Sequence, residues 1–138
     1  EDHEMTEKSI AEYLAEGPTE DVFASSQDKA KISIPDIKLP EGATPIPERS
    51  MHLRHLTVLP GGVIGLHSHF NRPAILHVMQ GEMLEYSSSQ DAPRHLKAGD
   101  SITEFGDITQ YAKNASETET LIIQTFDLLD EGPSSSGC

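Results

Sequence analysis

Residues 61–81 read GGVIGLHSHFNRPAILHVMQG, from Gly61 to Gly81. At the centre stands His67-Ser68-His69, two imidazoles with one residue between them. Successive side chains of a β-strand point to opposite faces, so positions i and i+2 share a face. The surrounding glycines, the proline at position 73 and the β-branched Val63, Ile64, Ile75 and Val78 favour strand and turn over helix. His67 and His69 are therefore expected to project together, which is how a strand offers two nitrogen ligands to one metal ion. Histidine pairs of this kind also occur as ordinary surface residues, and the residues around the pair decide between the two.

The spacing resembles the first cupin motif, G-x5-H-x-H-x(3,4)-E-x6-G. Gly61, His67, His69, position 74 and Gly81 fall in step with it, but position 74 is Ala74 where the family has a glutamate ligand. The second motif, G-x5-P-x-G-x2-H-x3-N, lies on Gly99 to Asn114, read GDSITEFGDITQYAKN. Gly99 and Asn114 match; Phe105 stands at the proline position, Asp107 at the second glycine and Gln110 at the third histidine. The resemblance covers roughly residues 50–129. It implies an all-β fold, a single cupin jelly-roll barrel, and one divalent first-row metal ion such as Fe, Mn, Ni or Zn. Imidazole and oxygen ligands do not choose among those ions. On the motif, the ligands are His67 and His69, with the Gln110 amide oxygen in the third position.

Other residues are candidates for binding a substrate. Proline fixes its own backbone and biases the residue before it toward extended geometry, so Pro73 presents Arg72 in a defined direction. Arg72 either clamps a carboxylate through a bidentate pair or pairs with a surface acid. Glu104 is either the acid nearest the site and able to act as a base, or a solvent-facing rim carboxylate. Tyr111 flanks the second motif beside Gln110. His77 lies three residues after Ala74, which strict alternation places on the opposite face; only a bulge would turn it inward. His55 is expected to be structural, His52 and His95 to be surface residues, and His3 to lie in a polar tail.

Along the chain, residues 1–49 form a helix and an extended arm, 50–129 the barrel and 130–138 a flexible tail. Ile10, Tyr13 and Leu14 at i, i+3 and i+4 predict a short amphipathic helix from Thr6 to Glu16, capped by Thr6 and stopped by Gly17-Pro18. Ile32, Ile34, Ile37 and Leu39 alternate through a proline-interrupted stretch, which predicts an edge strand or arm facing something apolar. Strands are expected over 52–59 and 63–70 with a turn at Pro60-Gly61-Gly62, then over 75–80, 82–86, 95–97, 101–105, 108–113 and 120–128.

The 138 residues suit one domain, and 23 acidic against 10 basic residues give a net charge of −13. That balance disfavours nucleic acid and anionic lipid surfaces, and no apolar run approaches the ~20 residues of a membrane span. The single cysteine, Cys138, excludes an internal disulfide. A start at Glu1 without an initiator Met or leader leads to the expectation of a secreted or periplasmic protein, with a trimmed, cytoplasmic chain as the alternative. The resemblance further implies a homodimer. Two functions remain open. One is a metal-binding cupin that binds or transforms a small polar molecule by dioxygenase, isomerase, lyase or sugar-modifying chemistry. The other is a metal-poor cupin that only binds a ligand or partner.

Overall fold

A computed structural model describes residues 8–43 and 48–130. Thr6, His3, the prolines at 45 and 47, and the tail with Cys138 lie outside the described residues. The elements are helix α1 (Ile10–Ala15) and strands β1 (Val22–Ser33), β2 (Ser50–Ser68), β3 (Ala74–Gln80), β4 (Glu82–Ser87), β5 (Arg94–Lys97), β6 (Ser101–Glu104), β7 (Thr109–Asn114) and β8 (Leu121–Leu129). All pairings are antiparallel, in the order β5-β4-β7-β2-β8-β3-β6, with β1 also on β2. The all-β expectation holds. No helix among the described residues is long and apolar enough to cross a membrane.

The expected turn at residues 60–62 is instead a bend inside one 19-residue strand, β2. Its first half, Ser50–Val58, lies between β1 and β8, and its second half, Val63–Ser68, pairs with β7. Gly61 makes the bend with φ +81°, a region that side-chain-bearing residues rarely adopt. β1 follows the bend through a register shift between Val22 and Ala24, and Phe23 between them takes φ 53°. One strand thereby pairs with β1 and β8 on one side of the bend and mainly with β7 on the other.

Inward-facing residues change character along the barrel. At one end Val58, Val78, Met83, Leu121 and Ile123 are fully buried and form the centre of the apolar core. Toward the other end the same strands turn polar. On β8, Leu121 and Ile123 give way to Thr125 and Asp127, and on β2, Leu56 and Val58 are preceded by His52 and Arg54. The cross-strand register sets His52, Asp127, Ala74 and Glu104 in one row over four strands. The next row inward holds Arg54, Thr125, Leu76 and Ile102.

Among the described residues helix α1 spans Ile10–Ala15, and Ser9 rather than Thr6 is its N-cap. The Ser9 hydroxyl accepts the Glu12 N–H at 3.1 Å, and the Glu12 carboxylate accepts the Ser9 N–H at 2.9 Å, a reciprocal cap. Its Tyr13 ring packs on Tyr86 of β4. Of the arm's apolar positions only Ile34 is buried, while Ile32, Ile37 and Leu39 remain exposed. Ile34 opens a single 3-10 turn, and its N–H bonds the Arg49 carbonyl at 2.7 Å.

Candidate functional site

The polar end of the barrel encloses a cavity of about 560 Å³. β2 carries His67 into it, and His69 follows the end of that strand, held by its backbone N–H on the Ile108 carbonyl at 3.0 Å. β7 carries Gln110, the register partner of His67. His67, His69, Gln110 and Arg72 all line the cavity, as does Glu104 on β6.

The two imidazoles are oriented by backbone. His67 Nδ1 lies 2.9 Å from the Gly65 carbonyl oxygen and His69 Nδ1 lies 3.0 Å from that of Arg72. A carbonyl oxygen only accepts, so Nδ1 carries the proton in each ring and Nε2 presents its lone pair. Burial pushes both pKa values below the ordinary histidine range, against a smaller opposing effect of those backbone bonds. Both rings are therefore neutral near pH 7, the state a metal ligand needs.

The lone pairs converge. Gln110 Nε2 stands 3.3 Å from Nε2 of both His67 and His69, and also donates to Glu104 Oε2. Glu104 Oε1 is 3.3 Å from His69 Nε2. Glu104 is only 3% exposed, which corrects the rim-carboxylate alternative. Burial raises its pKa above the usual carboxylate value, while the Gln110 hydrogen bond and His67 act in the opposite direction. In register, Glu104 is the cross-strand partner of Ala74. Opposed residues of an antiparallel pair have Cβ atoms ~4.5–5.5 Å apart. The carboxylate missing at position 74 is thus matched by one on the neighbouring strand.

Two imidazole nitrogens, a carboxylate and an amide fit the chemistry of a divalent first-row ion. Gln110 Oε1 supports the fit, because it is buried without a hydrogen-bond partner. As placed, however, the amide nitrogen occupies the point of convergence. No three His, Cys, Asp or Glu residues among those described close on an ion by themselves. Gln110 must turn its oxygen inward for the four groups to act together.

Two residues expected to bind substrate do not line the cavity. His77 follows the strand alternation to the outer face and bonds the Ser101 hydroxyl at 2.7 Å, so no bulge turns it inward. Tyr111, next to Gln110, points to the other side of β7 and stacks on Tyr86 with ring centroids 4.4 Å apart. Burial, with Tyr86 and Tyr13 beside it, pushes its hydroxyl up to about 12. His55 bonds Gln124, and His95 pairs with Glu82 at the surface.

His52 is a correction: it is 8% exposed and lines the cavity. Its Nδ1 meets Asp127 Oδ1 at 3.2 Å and its Nε2 meets Asp28 Oδ1 at 3.0 Å. Asp127 also accepts Arg72 Nη1 at 2.8 Å, so Arg72 is paired with an interior acid. Arg54, Glu85, Asp21 and Lys31 also belong to the charged lining. Glu85, 1% exposed, accepts Arg94 Nε at 2.7 Å. Sequence reading missed His52, Arg54, Glu85 and Asp127, and only their inward alternation with core residues signals them.

No family model matches the chain, and no curated protein matches it. Solved structures do. KdgF from Halomonas sp. is 17% identical over 79% of this chain and 82% of its own, with a TM-score of 0.57. A cupin domain from Bordetella pertussis is 18% identical over 82% of this chain and 96% of its own, with a TM-score of 0.52. A predicted oxalate decarboxylase from Thermotoga maritima is 23% identical over 57% of this chain, with a TM-score of 0.50, and the match spans 66% of that protein's length. At these identities the likeness speaks for architecture alone, and the chain has the cupin fold.

Proposed function

We propose that this chain is a small metal-binding cupin that takes a small polar molecule into its barrel. His67, His69 and Glu104 hold one divalent ion, and the Gln110 amide oxygen turns in beside them. The observation that carries this reading is that two neutral, backbone-oriented imidazoles and a buried carboxylate all surround the Gln110 amide group. A bound ion supplies Lewis acidity toward an oxygen of the bound molecule. The chain's own residues do the rest. Leu56, Leu76, Met83 and Ile123 form an apolar floor that limits water, and Asp127 fixes Arg72 at the cavity wall.

A cavity in need of a ligand is also supported by where the unsatisfied atoms lie. Arg54 Nε, Glu85 Oε2, Gln110 Oε1 and Thr125 Oγ1 are the buried side-chain atoms without partners among the described residues. All four belong to residues that line this one cavity. Buried polar groups are normally paired, so such a cluster favours a polar occupant over a purely structural interior.

The metal-poor reading, a cupin that binds a ligand without an ion, is favoured by the Gln110 amide nitrogen at the convergence point. Metal analysis of purified protein grown with trace metals separates the two. Near-stoichiometric metal in the wild type and none in H67A/H69A, with unchanged far-ultraviolet circular dichroism, supports the metal site. Equal metal in both proteins overturns it.

A further inference from the structure

Resting on the metal reading for one end of the cavity, we propose that Arg54 and Thr125 form an anion subsite at its wall. The bound molecule is then a small carboxylate whose remaining atoms reach His67 and His69.

The acids of the cavity wall each have a partner, although Glu85 keeps one oxygen unpartnered. Asp21 accepts the Gly65 N–H at 2.8 Å, Glu85 accepts Arg94, Glu104 accepts Gln110, and Asp28 meets His52. Asp127 serves His52 through one oxygen and Arg72 through the other. Arg54 is left the weakest partners. Its Nε stands 4.0 Å from Asp127 Oδ2, beyond hydrogen-bond range, and its Nη1 donates to the neutral Ser26 hydroxyl at 3.3 Å. The side chain is 20% exposed, yet Nε itself is buried with no partner.

A second unpartnered atom stands beside it. Thr125 is the cross-strand partner of Arg54 and shares its face of the sheet, and Thr125 Oγ1 is buried without a hydrogen bond. A guanidinium N–H and a hydroxyl in one row offer two donors to one anion. Charge decides which ligand suits them. The near counter-charge of this buried guanidinium is Asp127, 4.0 Å away and already shared with Arg72 and His52, while burial and Arg72 both act against its charged form. A neutral hydroxyl or amide would satisfy the donors and leave the charge uncompensated; a carboxylate does both.

Isothermal titration calorimetry at pH 7 tests the assignment with succinate, and with succinamide as its uncharged counterpart. Succinate should bind the wild type, and succinamide should not. R54Q should weaken succinate by about tenfold to a hundredfold, the worth of a charge-assisted hydrogen bond, and T125V by a smaller factor. T125V keeps the guanidinium and nearly the same volume, so it tests the subsite even where R54Q fails to fold. Three results overturn the inference: equal binding of the two probes, R54Q and T125V both within twofold of wild type, or no heat from succinate up to about 10 mM, which detects even a millimolar Kd. Failure of the metal reading looks different. If the wild type holds no metal yet binds succinate in an Arg54-dependent way, the anion subsite stands and the metal site falls.

Discussion

Moving the carboxylate back across the β3–β6 ladder tests the metal site most directly. Glu104 and Ala74 are register partners, so E104A should remove a ligand and A74E/E104A should return one from the opposite strand. Loss of outer hydrogen-bonding groups around a metal already costs 10–100-fold in affinity, so loss of a direct carboxylate should cost about 100-fold or more, about 2.7 kcal/mol. Opposed Cβ atoms lie ~4.5–5.5 Å apart, within the reach of a glutamate side chain, and the double variant should recover about tenfold. Folding stability should change little. E104A leaves the buried Gln110 N–H without its acceptor, about 1–3 kcal/mol, while relieving the burial of an acid whose charged form is disfavoured there. Competition for Zn²⁺ or Mn²⁺ against a chromophoric chelator measures all three proteins. If E104A binds metal as tightly as wild type while H67A/H69A does not, Glu104 is no ligand. If A74E/E104A is no better than E104A, the register argument fails.

The pH dependence of stability follows from the buried imidazoles. Folding depresses the pKa of His67 and His69, so their contribution is present above the ordinary value of 6.5 and is lost as pH falls through the folded pKa. In metal-free protein the melting temperature should drop below that pH, and H67Q/H69Q should flatten the profile measured by calorimetry. Glu104 has the opposite sign: its raised pKa favours folding at low pH and opposes it as pH rises, so E104Q should steepen the acid-side loss. R94A leaves the Glu85 carboxylate buried and unpaired, and should cost about 1–3 kcal/mol in urea unfolding, less than a wholly interior pair because Arg94 is partly exposed. E85Q in the same chain should restore most of it, and an R94A protein as stable as wild type would refute the pairing. Y13A should free α1 from Tyr86 and lower stability by about 1 kcal/mol or more, visible as a lost near-ultraviolet signal with β-structure retained.

The strand pattern was legible where one face is buried, as over 74–80 and 121–129, because the pleat writes burial into every second residue. β1 was not: VFASSQDKAKIS is exposed at nearly every position, so its pairing leaves no hydrophobic alternation. The helix start was misplaced although Ser9 and Glu12 carry the capping-box spacing, a local signal that outranks Thr6. The spacing of His67, His69 and Gln110 singled out three residues that line one cavity. Glu104 was harder, since its burial shows only in its sharing a face with Ile102, which packs on the core. His52 was illegible for a different reason. Its partner Asp127 is 75 positions away, and only the β2–β8 register brings them together. Tyr111 and His77 face away from the cavity by the same alternation that turns Gln110 and Ala74 toward it, as strict alternation implied for His77.

The bend in β2 has a mechanical consequence. His52 and Arg54 sit on one arm of that strand and His67 on the other, with Gly61 between them. The separation between the charged wall and the histidine pair is therefore a function of one elbow angle, and that elbow rests on a single left-handed backbone torsion. A side chain at position 61 would meet open space, so its effect would come through the backbone torsion alone. It would strain the strand by roughly 1–2 kcal/mol, and it would also re-aim one half of the cavity against the other, so the shape of the interior and the stability of the barrel cannot be tuned separately at that joint.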